Sequence, residues 1–328
     1  MGWSATSDLD RFAAAADGYL RSRAAENTLL LSAAQEARRQ ESAGLLFGWW
    51  TPPDGAEPRG AFVHDPAAPL LISGRAPEMA TALAATLAKL SRQVRGVDAP
   101  TVAADAFAAA WSQRAGMTVR SHRNCRVYRM GRGWPLPELP GPPGTFRIAT
   151  AADHATLADW LRAAAIEAAE RLPSPSGMAR DLISYGGAVF AEVSQFGEPV
   201  PQPAALVALV ALTRPVAGLV RISMIYTLPE RRRNGYAAAL TQAVSRALLA
   251  ETGPATGLLG HGCVREVVMI TDKNRSEHWG GRLGYQLIGE RAVLRFGPAS
   301  GPIPRANSTN SLPRLPTGPL PRLPRLRH

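Results

Sequence analysis

Residues 219–250 read LVRISMIYTLPERRRNGYAAALTQAVSRALLA. The mostly apolar, partly β-branched run 219–227 predicts a strand; Pro229 ends it, three arginines follow, and Asn234-Gly235 opens an Ala- and Leu-rich helix over 236–250. A strand-to-helix turn of this kind is a natural anion site. Gly235 lets backbone approach a ligand, the main-chain N–H groups from Arg232 to Ala237 point into one concavity, and the positive end of the helix dipole adds attraction. The ligand expected is a phosphate or pyrophosphate; the alternative is an ordinary helix start beside a solvated arginine run. The stretch holds neither GxGxxG nor GxxxxGK[ST], which argues against nicotinamide enzymes and P-loop nucleotidases.

Arg232-Arg233-Asn234-Gly235-Tyr236-Ala237 resembles the RxxGxA signature of GNAT-type N-acetyltransferases, whose backbone amides hold the pyrophosphate of acetyl-CoA. Upstream, MIYTLPE (224–230) looks like the family's strand and turn. Downstream, VVMITDKNRSEHWGGRLGYQLIGE (267–290) looks like its next strand, an Asn-containing turn, a short helix and a terminal Gly-aromatic pair, Gly284-Tyr285. The resemblance covers about 147–296 and implies an α/β fold with a mixed, mostly antiparallel sheet flanked by helices. It further implies that Ile225, Tyr226 and Thr227 pair their backbone with the pantetheine arm. Arg232, Arg233, Asn234, Gly235, Tyr236 and Ala237 would cradle the pyrophosphate, and Asn274 would hydrogen-bond the pantetheine region. Core packing for Tyr226 and a turn role for Asn274 stand beside these readings.

The activity implied is transfer of acetyl from acetyl-CoA, as co-substrate, to a primary amine on a small molecule or peptide by direct attack, with no metal. Family members commonly carry a Tyr four residues before the final Gly, suited to protonating the departing thiolate; here that position is Gly280, preceded by Trp279. No acid is assigned. Glu192, Glu230, Glu266, His261 and His278 are available as bases, though each reads more readily as a surface residue. Two other readings stay open: a non-catalytic acyl-CoA-binding or regulatory module, and an interaction protein centred on the C-terminal tail.

Outward from this segment, 145–172 is expected to form a strand and then a long helix, with strands at 187–193, 204–213 and 265–271, helices near 176–185 and at 274–283, and two closing strands to Phe296. In the first half, helices are expected at 8–24, 28–42, 77–95 and 101–114, strands at 45–50, 60–64 and 68–73, and a β-like segment ending at 130. WSQRAGMTVRSHRNCRVYRM (111–130) parallels WGGRLGYQLIGERAVLRF (279–296), each with Trp, an Arg three on and a Gly five on, which points to two tandem copies. The first copy's turn, ISGRAPEMATAL (72–83), lacks RxxGxA, and Pro77 removes an amide donor, so this copy reads as degenerate. The domains expected are 1–130, a Pro/Gly-rich linker 131–146, the acetyltransferase-like unit 147–296, and a disordered tail 297–328 with eight prolines and three Pro-Arg-Leu repeats.

The 328 residues carry a net charge of +11, but residues 1–146 and 147–296 each hold 16 basic and 13 acidic side chains. The remaining five charges sit in the tail, so the balance gives little support to a nucleic-acid-binding face. Cys125 and Cys263 form no CxxC or Cys/His spacing, which fits a reducing, cytoplasmic setting without a disulfide framework or structural zinc. Asp8 and Asp10 occupy the place of a signal peptide's basic start, and the longest apolar run, 204–212, is far shorter than the ~20 residues of a membrane span. No nucleic-acid or membrane partner is expected.

Overall fold

The computed structural model describes residues 2–40, 44–53, 55, 57–137, 142, 144–170, 172–193, 204–250, 259, 264–274 and 279–298. His261, Cys263, His278, part of the linker and residues 299–328 of the tail lie outside these.

The apolar runs become strands and the Ala-rich stretches become helices. The first half runs β1 (Gly2–Thr6), α1 (Leu9–Ser22), α2 (Thr28–Arg39), β2 (Leu46–Thr51), β3 (Gly60–His64), β4 (Leu70–Ser73), α3 (Pro77–Lys89), β5 (Gly96–Pro100), α4 (Thr101–Ala115) and β6 (Met117–Gly131). The second repeats that order element for element: β7 (Thr145–Ile148), α5 (His154–Glu167), α6 (Pro175–Ser184), β8 (Ala188–Val193), β9 (Ala205–Leu212), β10 (Leu219–Thr227), α7 (Tyr236–Leu249), β11 (Glu266–Asp272), α8 (Trp279–Arg282) and β12 (Gln286–Pro298). The Trp-Arg-Gly likeness has a structural meaning. Gly116 and Gly284 both take positive φ, +62° and +90°, where a helix ends and the long last strand of each half begins.

All twelve strands share one sheet in the order β1-β2-β3-β4-β5-β12-β6-β11-β10-β9-β8-β7. Among the described residues only β4–β5 and β10–β11 pair in parallel. The last strands are exchanged: β12 pairs with β5 and β6, and β6 pairs with β12 and β11. Each half's core is completed by the other's strand. Ala292, Leu294 and Phe296 of β12 join the cluster built on α3 and α4, while Tyr128 and Met130 of β6 join the cluster under α7. The Arg291 guanidinium, 4% exposed, donates to Asp98 at 2.8 Å and fastens β12 to β5.

Three features differ from the sequence expectation. β1 and β5 are strands although Gly-Trp-Ser-Ala-Thr and Gly-Val-Asp-Ala-Pro are short and poor in strand formers; pairing with β2 and β12 makes them so. The two closing strands are one, β12, with register shifts at Leu287/Gly289 and Arg295/Phe296. Among the described residues no helix is long and apolar enough to cross a membrane.

Candidate functional site

The site is built where β10 and β11 part. Their parallel pairing covers only Leu219–Ile222 against Glu266–Met269. Beyond that point β10 pairs only with β9 and β11 only with β6. The β9 register shifts between Ile222 and Met224, and Ser223 Oγ donates to the Ala211 carbonyl at 3.1 Å. This bulge bends β10 away from β11 and turns the backbone edge of its last residues toward the gap. The gap holds a cavity of about 320 Å³ lined by Ser223, Met224, Ile225, Ile270, Thr271 and Trp279 among others. Within it, Thr271 Oγ1 is buried and has no hydrogen-bond partner among the described residues.

Trp279 also lines a larger cleft of about 860 Å³ around the N-terminus of α7. The sequence-predicted residues Ile225, Tyr226, Thr227, Arg232, Arg233, Gly235, Tyr236 and Ala237 all face this cleft. Asn234 and Asn274 do not line it. Asn234 is exposed and its amide donates to the Arg231 carbonyl, and Asn274 is an exposed turn residue whose N–H donates to Asp272 at 2.8 Å.

The turn itself is shaped by two positive φ values, Arg233 at +68° and Gly235 at +83°. Gly235 is the N-cap of α7, so no side chain caps the helix, and the first-turn amides lack intrahelical partners. Among the described residues a Cβ at Gly235 would meet only Pro142 Cδ at 3.6 Å, so none of them fills the space over the turn. The equivalent turn of the first half is filled. There a Cβ at Gly74 would strike Met79 Cε at 2.8 Å and the Arg59 carbonyl at 3.0 Å, and Met79 is 1% exposed.

Charge around the cleft is positive but partly held. Arg232 donates from Nε to the Thr227 carbonyl at 3.1 Å and from Nη2 to Glu167 at 2.6 Å, with its guanidinium 5.9 Å from the Tyr226 ring centre. Tyr226 is itself core, packed beside Trp160, and burial followed by the Glu167 charge raises its hydroxyl pKa. Arg231, the first of the three consecutive arginines, lines the cleft with the others, whereas Glu167 and Arg282 line it without having been anticipated. Glu167 ends α5 far away in sequence. The signal for Arg282 was present, since Trp279, Arg282 and Leu283 share one face at i, i+3, i+4.

The general-base candidates among the described residues lie elsewhere. Glu192 is bound to Arg147, Glu266 pairs with Arg129 at 3.3 Å, and Glu230 is exposed outside the cleft lining. Burial pushes the Cys125 thiol up to about 11, which keeps it protonated and non-nucleophilic at neutral pH. Gly280 is fixed by packing: a Cβ there would lie 2.8 Å from the ring of Tyr128, contributed by β6 of the other half. Tyr285, the aromatic after Gly284, is buried, shares a 2.7 Å hydrogen bond with Ser245, and has its pKa raised by burial.

No protein-family model matches the sequence, and comparison with curated proteins finds no match. Solved structures do resemble the fold. A Drosophila protein solved by X-ray is 16% identical with a TM-score of 0.57, covering 91% of this chain and 99% of its own. A GCN5-related N-acetyltransferase from Sphaerobacter thermophilus is 16% identical at TM-score 0.55, covering 89% and 95%. An acetyltransferase of the GNAT family from Colwellia psychrerythraea is 10% identical at 0.50, covering 90% and 100%. A mixed α/β fold, with helices flanking a mostly antiparallel sheet, is what this chain has in common with GCN5-related N-acetyltransferases.

Proposed function

We propose that the chain transfers an acyl group, acetyl first among them, from acyl-CoA to a primary amine. The observation that carries this reading is the N-terminus of α7, without a side-chain cap and with the space over Gly235 left open by the described residues, at the parted end of β10. The residues fit the cofactor's chemistry. Amides from Arg232 to Ala237, with the Arg232 and Arg233 side chains, would hold the pyrophosphate, and the free backbone edge of Ile225–Thr227 would take the amide-bearing pantetheine arm. Thr271 Oγ1 offers a further hydrogen bond from the gap. When bound, the cofactor supplies an activated thioester.

Acyl transfer forms the C–N bond of an amide and breaks the thioester C–S bond, releasing CoA thiol while the amine gives up a proton. The chain's contribution is positioning, which by itself is worth much of the barrier in such a reaction. Gly280 offers no acid, so the thiolate leaves to a proton from water. Acetyl-CoA is to be incubated with the protein and a panel of amines, with free thiol and product mass followed. Amine-dependent thiol release and an acetylated product are expected. A cofactor that binds but never turns over with any amine would favour the second reading, an acyl-CoA-binding module, to which the Tyr128 ring on Gly280 lends its support.

A further inference from the structure

A second cleft, of about 820 Å³, opens at the other end of β10. Gly218 borders it while Thr227 borders the first, so nine residues of strand, about 30 Å, separate the two. Its walls come from the α1–α2 turn, the end of β6, and the starts of β10, β11 and β12. Among the described residues they bring Arg21, Arg23, Arg129, Arg132 and Arg265 together with only Glu26 and Glu266.

The acids are already engaged. Glu266 pairs with Arg129 at 3.3 Å, and Glu26 is drawn outward by Arg75 at 3.6 Å, which does not line the cleft. Asp17 serves Arg21 at 2.5 Å from outside. Arg23 and Arg265 are exposed and have no ion pair among the described residues. Arg265 is also placed: its guanidinium lies over Gly218, where a Cβ would meet Nε at 2.7 Å, and Gly218 holds φ +78°. Arg129 sits 5.5 Å from the Trp134 ring centre, and its Nε is buried without a hydrogen-bond partner among the described residues. Several guanidinium groups fixed by separate elements, an excess of three positive charges, and an apolar flank of Trp134 and Ile288 in a volume far beyond a bare ion describe a receptor for a charged organic molecule.

We propose that this cleft binds a small phosphate-bearing molecule, distinct from whatever occupies the α7 turn, held chiefly by Arg23 and Arg265. Because its walls come from both halves, the ligand would tie them together. The test is calorimetric titration of inorganic pyrophosphate into the full-length chain, into Arg23→Ala/Arg265→Ala and into Ala237→Asp, which blocks the α7 turn. Wild type should take up two equivalents. Ala237→Asp should keep one, weakened by added salt, and the double arginine variant should lose that second site, by about tenfold or more in affinity. Retention of two full-strength sites in the double variant overturns the proposal, as does absence of any binding to Ala237→Asp. Neither result bears on the α7 site, whose own loss shows instead as one site in wild type that only the arginine variant removes.

Discussion

At the scale of single residues, glycines decide what each turn can accept. Gly235 and Gly74 stand at equivalent strand-to-helix turns, yet among the described residues one has only Pro142 near it and the other is pressed by Met79. Gly280 is the residue where the sequence departs from the GNAT pattern, and the reason was illegible in sequence because its neighbour, Tyr128, lies in the other half. A methyl group there has no room beside an aromatic ring buried among Met130 and Tyr285. Gly280→Ala is expected to lower stability by about 1–3 kcal/mol through overpacking, read from denaturant midpoints at unchanged m-value. In a Tyr128→Ala background, itself destabilised by the lost core ring, the same Gly280→Ala change should cost less, since the two sites are in contact. A neutral Gly280→Ala would contradict the packing described.

At the scale of elements, β10, its turn and α7 were legible because strand, breaker and helix signals follow one another without conflict in 219–250. The short strands β1 and β5 were not, since only their partners across the sheet make them strands. The contact of α5 with the α7 turn was equally hidden, as Glu167 reaches Arg232 over 65 residues. That carboxylate is the acid lining an otherwise basic cleft. Glu167→Gln removes a negative charge from the anion site and releases Arg232, and it is expected to tighten acetyl-CoA binding about two- to fivefold at low salt, the range of a half-exposed ion pair. The gain should shrink as salt rises. Weaker binding in this variant would show that the Glu167–Arg232 pair holds the turn in shape.

At the scale of the whole molecule, the duplication was legible in the Trp-Arg-Gly spacing, but the exchange of last strands was not, because like strands carry like patterns whichever half they complete. With β12 between β5 and β6, and β6 between β12 and β11, neither core closes without the other half. Thermal unfolding is therefore expected as one transition, coincident by far-ultraviolet circular dichroism and by the fluorescence of tryptophans in both halves. Two resolved transitions would mean that the halves hold their cores independently. The central claim is that the α7 turn takes the pyrophosphate of acyl-CoA, and Ala237→Asp tests it most directly. An acidic residue in the first helical turn favours the helix while placing a charge against the phosphates, where like-charge contact costs several kcal/mol. Calorimetric titration of acetyl-CoA should show one site in wild type and about a hundredfold weaker binding in a folded Ala237→Asp; no binding to wild type, or equal binding to both, would contradict it.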